Sequence, residues 1–275
     1  LNTISGSSDF ASLPSRNMGI SGRFSYNYDS RYFTEFNFGY NGSEKFAEDN
    51  RYGFFPSVGF GWIVSNEDWL EELNSSITLL KLKITHGKVG NDGISSANDR
   101  FFYLSDVNLN EGNTSYSWGL DYSNYSNGYL IYRYSNPNVT WEVAEKTNFG
   151  LELEINKALN LQVDYFTEHR SQIYMQRDYI PESMGLTTGI SSNLGEVKSK
   201  GVDASIDYNQ AFSSGLYISG RANFTYATNE VIVNGEPSYE FANLSRIGHP
   251  VNQPFGLIAE RLFIDAEDIA NSPEQ

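Results

Sequence analysis

The sequence has 275 residues, 34 of them acidic and 19 basic, giving a formal net charge of −15, and it contains no cysteine. The acidic balance argues against a nucleic-acid partner. The missing thiols exclude a disulfide framework, a thiolate metal site and a cysteine nucleophile. The sequence has no run of about 18 apolar residues, so no transmembrane helix is predicted. The opening LNTISGSSDF lacks the pattern of a signal peptide.

The first predicted elements are two strands joined by a tight turn. Aromatic and apolar residues take alternate positions from Gly19 to Tyr28, and the same alternation returns from Tyr32 to Tyr40 after Asp29 and Ser30. A period of two is typical of a β-strand with one face apolar. These residues predict a hairpin of matched register, preceded by a Ser-rich and Asn-rich loop over residues 1–15.

A second pair of strands is predicted between Tyr52 and Gly90, around a short acidic piece, Asn66 to Leu73, with room for about two helical turns. In both strands apolar residues alternate with small or charged ones: Phe60, Trp62, Leu82 and Ile84 on one face, and Gly59, Gly61, Lys81 and Lys83 on the other. Each strand runs for about ten residues, the length that a tilted strand needs to cross a bilayer.

Alternation recurs in four later segments, 148–155, 159–165, 202–209 and 216–226, and a last strand is predicted over Phe255–Ile264. Long loops are expected at about 87–139, 171–193 and 229–254. An up-and-down barrel would place these loops at one end. The following aromatic residues lie near the short-turn end, where a membrane-interface girdle is expected: Tyr26, Tyr28, Tyr32, Trp62 and Tyr208.

The pattern therefore predicts an all-β, antiparallel transmembrane β-barrel section of about nine strands, with apolar side chains turned to lipid. The alternative is a soluble β-sandwich or closed barrel with the same apolar face turned inward. Alternation alone does not distinguish them, because it does not say which face meets water. Strand length and the one-sided long loops favour the membrane barrel.

Several stretches, in order along most of the chain, carry a family resemblance: GRFSYNYDSRYFTEFNFGYNGSEKF (Gly22 to Phe46), RYGFFPSVGFGWIVSNEDWL (Arg51 to Leu70), LKLKITHGKVGNDGI (Leu80 to Ile94), NPNVTWEVAEKTNFGLE (Asn136 to Glu152), NLGEVKSKGVDASIDY (Asn193 to Tyr208), IGHPVNQPFGL and FIDAEDIANSPEQ. The series resembles the SusC-like TonB-dependent outer-membrane transporters (SusC/RagA family) of Bacteroidetes. An ordered series of this kind is more specific than any single motif.

The resemblance implies a 22-stranded barrel in the outer membrane with an N-terminal plug, energised through TonB and capped by a SusD-like surface lipoprotein. Such a protein takes up nutrients, either oligosaccharides (glycans) or peptides. The chain departs from the family pattern because it shows no plug domain, no TonB box and too few strands for closure. Residues 1–275 are therefore expected to form a middle-to-late section of the barrel wall with its extracellular loops.

Two groups of candidate site residues follow. Polar side chains opposite the apolar face are expected to line the lumen: Arg23, Glu35, Lys81, Lys83, Glu152, Asp203 and Arg221. Aromatic side chains of the longest loop offer flat faces for stacking on a ligand, or pack that loop against itself: Tyr116, Trp118, Tyr122 and Tyr125.

No enzyme activity, cofactor or metal site is predicted. The histidines, His86, His169 and His249, follow no metal or triad spacing, and the carboxylate pairs Glu152/Glu154 and Asp203/Asp207 suit a hydrated polar wall better than a hydrolase. The acidic Asp265–Asp268 segment is expected to be solvated rather than to bind a cation. The rival functions are a soluble or surface carbohydrate-binding β domain, with Tyr116, Trp118 and Tyr122 as its platform, and a hydrolase.

Overall fold

The computed structural model describes residues 16–70, 76–94, 101–257, 259 and 261–272. Ten β-strands make up most of this part of the chain: β1 (Asn17–Tyr28), β2 (Tyr32–Ser43), β3 (Tyr52–Ile63), β4 (Ile77–Asn91), β5 (Asp106–Trp118), β6 (Asn124–Arg133), β7 (Glu142–Ile155), β8 (Leu159–Gln176), β9 (Ser191–Ala211) and β10 (Tyr217–Val233). A short helix, α1 (Ala266–Ala270), follows them. None of the helices in the described residues has the length and apolar character needed to span a membrane.

Eight strands form one antiparallel sheet in the order β1-β2-β3-β4-β7-β8-β9-β10, and β5 with β6 forms a separate hairpin. Each strand of the large sheet pairs with its neighbour along the chain once this hairpin is set aside. The sheet is open, with β1 and β10 at its two edges. The predicted section of an antiparallel up-and-down barrel is confirmed, with eight strands in the wall and two outside it.

The connections alternate between the two ends of the sheet. Short turns at 29–31, 156–158 and 212–216 lie at one end, together with the β3–β4 connection and its two 3-10 turns, Val64–Asn66 and Asp68–Leu70. Longer segments at 44–51, 92–141 and 177–190 lie at the other end. We call these the turn end and the loop end.

The structure corrects several predicted boundaries. β4, β8 and β10 extend to Asn91, Gln176 and Val233, and β9 begins at Ser191, so each strand enters a segment predicted as loop (87–139, 171–193 or 229–254). The longest of these segments also contains β5 and β6. The reason is that polar side chains hide the alternation, whereas strand pairing is made by the backbone and continues through them.

Three further predictions concern the ends and the acidic piece. No described residue of Phe255–Ile264 lies in a strand, so the predicted last strand is wrong; the described residues there make no backbone ladder with β10. The predicted loop over residues 1–15 lies outside the described residues. The acidic piece forms 3-10 turns as far as Leu70. Residues 71–75 lie outside the described residues.

The two faces of the sheet differ sharply in character. On one face large apolar side chains form continuous register rows across six strands. One row, exposed except for the half-buried Val202, is Tyr226, Val202, Tyr165, Phe149, Ile84 and Phe60. We call this the apolar face, and its apolar rows the belt. The other face carries polar and charged residues opposite the belt and is called the polar face. Cross-strand partners share a face. The register of the strands therefore determines which residues lie on each of the two faces.

The belt runs obliquely across the strands. Its last apolar residue towards the loop end is Tyr226 on β10, whereas on β3 it continues to Phe54, six residues beyond the row of Tyr226. The border towards the turn end shifts in the same sense, from Ile218 on β10 to Trp62 on β3. A shift of six residues over five strand steps corresponds to a strand tilt of about 40°, as a transmembrane barrel requires.

Aromatic and charged side chains fasten the turn end. Glu67 is buried and accepts hydrogen bonds from the Tyr32 hydroxyl (2.7 Å) and the Trp62 indole (2.9 Å), while the Arg31 guanidinium lies 3.2 Å away. The Tyr32 and Trp62 rings stack at 6.3 Å. These hydrogen bonds, from Tyr32 first, and the charge of Arg31 hold the pKa of Glu67 below its usual range.

A small closed core lies at the loop end. Phe46, Phe102, Val139 and Trp141 are buried there, with the Trp141 ring 5.4 Å from Phe46 and 5.3 Å from Phe55. Trp141 also donates its indole N–H to the Arg51 carbonyl at 3.2 Å. We call these four buried residues the loop core. They join segments that are far apart in sequence and place the base of the β5–β6 hairpin.

Candidate functional site

The polar face holds a network of charges centred on Lys83. Its ammonium lies 3.2 Å from Glu152 and 3.1 Å from Asp164, and Lys81 lies 3.3 Å from the other Glu152 oxygen. Asp164 also accepts hydrogen bonds from Asn148 (3.1 Å) and Gln162 (2.8 Å). Three predicted lumen residues therefore meet in one cluster on β4, β7 and β8, with Asp164 as the member that sequence reasoning left out.

A glycine makes this cluster possible. Lys83, Gly150 and Asp164 occupy one register row on three adjacent strands. A Cβ at Gly150 would lie 2.0 Å from Lys83 Cε and 2.5 Å from Asp164 Oδ1. Since the middle strand carries no side chain at this point, Lys83 reaches across it to the carboxylate of the next strand. A glycine between a basic and an acidic strand position is the signal that points to Asp164.

The remaining predicted lumen residues lie on the same face but in separate places. Arg23 pairs with Glu35, which also accepts a hydrogen bond from Asn37 at 2.8 Å. Arg221 pairs with Asp207 across β9 and β10. Asp203 is exposed opposite Asp164 in register. The polar face thus carries charged residues from β1 to β10, and most of them pair with a residue of opposite charge.

The β5–β6 hairpin divides the four predicted ligand-binding aromatics. Tyr116 and Trp118 are neighbours on one face, with ring centroids 5.2 Å apart at an interplanar angle of 32°, and both are exposed. Tyr125 is paired with Ser117, so it lies on the opposite face. Tyr122 is in the connecting turn at a φ of 55°. The structure brings two of the four together and separates the other two.

The base of the hairpin is held by a buried carboxylate. Glu111 accepts hydrogen bonds from the Tyr132 hydroxyl (2.6 Å), from Asn108 (3.1 Å) and from the Asn113 backbone (3.1 Å). These donors, Tyr132 first, keep the pKa of Glu111 below its usual range. The loop core and Glu111 together fix the hairpin without using the aromatic tip, so the tip residues stay exposed. The predicted alternative, that they pack the loop against itself, does not describe Trp118, which is 47% exposed.

The other titratable residues named by sequence remain apart. His86 contacts Thr147, His169 contacts Glu196, and the His249 ring lies against Phe255. In the part of the chain that the structure describes, no three acidic or histidine side chains are grouped so as to hold a metal. Asp265 caps α1 and Asp268 pairs with Arg261, so two carboxylates of the acidic segment have protein partners.

An open, tilted sheet with an apolar belt on one face and matched charges on the other defines a section of an outer-membrane β-barrel. Residues 6–258 match the family model of the TonB dependent receptor-like β-barrel, and the chain belongs to this family. It is an outer-membrane protein section of the SusC-like type, as the resemblance predicted.

The relatives agree with this placement. The chain is 28% identical over 216 residues to TonB-dependent receptor P3 of Formosa agariphila, with 78% of this chain and 20% of that protein aligned. It is also 28% identical over 212 residues to TonB-dependent receptor SusC of Bacteroides thetaiotaomicron, with 76% and 20% aligned. Among solved structures, the RagAB peptide importer in its open-open state superposes with a TM-score of 0.67 at 26% identity, covering 85% of this chain and 24% of that one.

These alignments span about a fifth of each of the two curated relatives. The correspondence is therefore with a section of barrel wall and its loops. The family is one of receptors and transporters rather than of enzymes.

Proposed function

We propose that this section forms wall and outer loops of an outer-membrane transporter that takes up oligosaccharides or peptides, with TonB supplying energy and a SusD-like lipoprotein at the loop end. The observation that carries the proposal is the opposition of the two faces. One has exposed rows of aromatic and aliphatic side chains, and the other has the Lys83–Glu152–Asp164 cluster. Lipid suits the first face, and a water-filled lumen suits the second.

The lumen assignment extends to the seven predicted polar residues, because all lie on the polar face. Positive and negative side chains next to one another make a hydrated wall. Such a wall has no overall preference for positively or negatively charged solutes. Such a wall accepts a neutral or zwitterionic polar substrate. Glu35 and Glu152 pair with basic neighbours, so their role is to maintain this wall, whereas Asp203 is exposed.

The test of orientation uses adjacent residues of β8. Gln162 and Val163 lie at the same depth on opposite faces, and the chain has no cysteine of its own. In the full-length transporter, with other cysteines removed, Gln162→Cys should react with a polar maleimide in isolated outer membranes, and Val163→Cys should not. Equal or reversed labelling would overturn the proposal and favour the soluble carbohydrate-binding domain.

Substrate capture is assigned to the Tyr116 and Trp118 pair at the hairpin tip. Two neighbouring exposed rings with polar edges suit stacking on a sugar ring, and also suit contact with an extended peptide. The loop core lies at the base of the hairpin, and the two rings are exposed and therefore available to a ligand. Tyr122 and Tyr125 remain candidates for a second contact on the other side of the hairpin.

The capture test compares Trp118→Ala with Tyr125→Ala in the full-length transporter. Calorimetric binding of oligosaccharide and peptide mixtures should weaken by roughly tenfold for Trp118→Ala, since loss of an aromatic anchor typically costs more than 1 kcal/mol. The Tyr125→Ala variant removes a similar ring from the opposite face and should lose clearly less, because Tyr125 is proposed only for a second contact. Equal losses would contradict the assignment of capture to the Tyr116 and Trp118 pair. The mixture that loses binding identifies the substrate class.

A further inference from the structure

The apolar face changes character abruptly above the belt on β4 and β7 to β10. The row of Phe149 and Tyr165 is followed towards the loop end by two polar rows on the same face: His86, Thr147, Thr167, Lys200 and Thr228, then Lys88, Glu145, His169, Lys198 and Glu230. If the belt meets hydrocarbon, as proposed above, these rows lie at the headgroup level of the outer leaflet.

A depression of about 570 Å³ opens among these rows. Most of its lining side chains belong to the apolar face, including Lys198, Lys200, Thr167 and Thr228. Residues of the polar face, such as Ser199 and Asn229, border it because they alternate with these along the same strands. The depression is therefore distinct from the proposed lumen and faces the membrane.

Four hydrogen-bond donors in this depression are unused within the described residues. The ammoniums of Lys198 and Lys200 have no carboxylate at ion-pair distance, and the hydroxyls of Thr167 and Thr228 make no hydrogen bond. Lys200 lies between the two threonines in register, and Lys198 is two residues away on the same face. Two lysines at this spacing are about 6.6 Å apart along the strand, close enough for both to contact one phosphate.

The acidic neighbours are mostly occupied. Glu145 lies 3.4 Å from His86 and 3.7 Å from Lys88, and Glu196 lies 3.1 Å from His169. Glu230 flanks Lys198 on β10 without closing on it. Within the described residues, the two lysines of β9 and Glu230 are thus the lining charges without an ion pair, which leaves one positive charge in excess.

We propose that this depression binds the phosphate of an outer-leaflet lipid headgroup. Lys198 and Lys200 would supply the charge, and Thr167 and Thr228 would donate hydrogen bonds to the phosphate oxygens. The acyl chains would then lie along Tyr165 and Tyr226 of the belt. A lipid is the occupant because the donors begin one register row beyond exposed aromatic residues, so a ligand with an apolar tail and a phosphate head matches both neighbours.

The experiment measures lipid binding to the full-length transporter in detergent micelles by native mass spectrometry. The probes are dioleoyl phosphatidic acid, dioleoylglycerol, which has the same chains and no phosphate, and inorganic phosphate. Phosphatidic acid should bind in preference to dioleoylglycerol. In the Lys198→Gln/Lys200→Gln variant its affinity should fall roughly thirtyfold, because each lysine near a lipid headgroup contributes about a fivefold factor.

The matched control is Lys146→Gln, which removes a lysine at a nearby height on the polar face. It should leave phosphatidic acid binding unchanged. Equal binding of dioleoylglycerol, an equal loss in Lys146→Gln, or full competition by inorganic phosphate at the lipid's own concentration would each overturn the proposal. Labelling at Gln162 and Val163 tests the face assignment independently, so failure of the lipid site is distinguishable from failure of the proposed function.

Discussion

The barrel wall and the loop core bury apolar side chains by opposite means. In the wall, Phe24, Phe60 and Phe224 are exposed on the protein surface, and the last of these is 61% exposed. In the loop core, Phe46 is completely buried among side chains of other segments. The same residue type is therefore solvated by lipid in one region and by protein in the other.

This difference teaches where the information for each region lies. The wall needs only a face of apolar residues in register, because fluid acyl chains fill the space around any of them. The loop core lies in water and needs side chains that fit one another, since a void there stays empty. Substitutions should therefore be judged by region rather than by residue type.

The largest expected effect separates Phe46→Ala from Phe224→Ala. The first leaves a cavity in a closed core and should destabilise the loop end by about 3 to 5 kcal/mol. The second should cost clearly less, because lipid occupies the vacated space and no cavity term arises. Protease cleavage of the outer loops, followed over time in detergent, measures the first effect. Equal sensitivity of both variants would show that the two regions are not distinct.

The next effect compares the two faces of the wall. Leu153→Arg places a charge on the apolar face within the belt and should destabilise the barrel by about 2 to 4 kcal/mol, whereas a charge on the lumen side costs far less. The matched change is Gln162→Arg on β8, next to Asp164 on the polar face. Glu152 is a poorer control because it already binds Lys81 and Lys83. Urea titration of each variant in lipid vesicles, read by heat-modifiable migration, gives the two values.

A smaller effect sharpens the role of the polar cluster. Gly150→Ala would bring a methyl group against Lys83 Cε and separate it from Asp164, costing up to about 1 kcal/mol for a partly exposed ion pair. Gly61 lies in the same register row, and a Cβ there would meet only ordinary contacts at 3.6 Å and beyond. Gly61→Ala should be neutral or slightly stabilising. A matching loss at both positions would mean that the ion pair contributes nothing.

The wall was largely predictable from sequence because its only requirement is alternation. The pairing of Phe24 with Phe36 and of Phe60 with Ile84 follows from the hairpin turns and the period of two. The extent of the strands was not predictable, since polar residues such as Lys198 or Asn193 give no alternation signal while their backbones continue the ladder. The predicted strand at Phe255–Ile264 is wrong for a different reason: the segment is rich in apolar residues, but its described residues form no backbone ladder with a neighbouring strand.

The candidate sites were predictable as faces but not as clusters. The seven polar residues share a face because side chains alternate between the two faces along each strand, which the sequence of that strand alone determines. The contact of Lys83 with Asp164 depends instead on three strands and on the glycine between them. The loop core was missed because Phe46, Phe102 and Trp141 come from separate segments with no common period. Tyr116 and Trp118 lie on the opposite face from Tyr125 because β5 and β6 form a hairpin. The sequence did not reveal this hairpin, because bulges interrupt its register.

The smallest predicted effect is the pH dependence of the hairpin that carries the aromatic pair. Hydrogen bonds to the Glu111 carboxylate lower its pKa from the usual 4.5, so the charged form stabilises the folded hairpin. For a lowered folded-state pKa this stabilisation is complete above the unfolded value and is lost as the pH falls through the folded one. Hydrogen exchange of β5 and β6 amides, corrected for intrinsic rates, should therefore stay slow at neutral pH and accelerate below pH 4.5. The Glu111→Gln variant should show the faster exchange at neutral pH with little further change on acidification. Protection that is independent of pH in both proteins would mean that the loop core alone holds the hairpin.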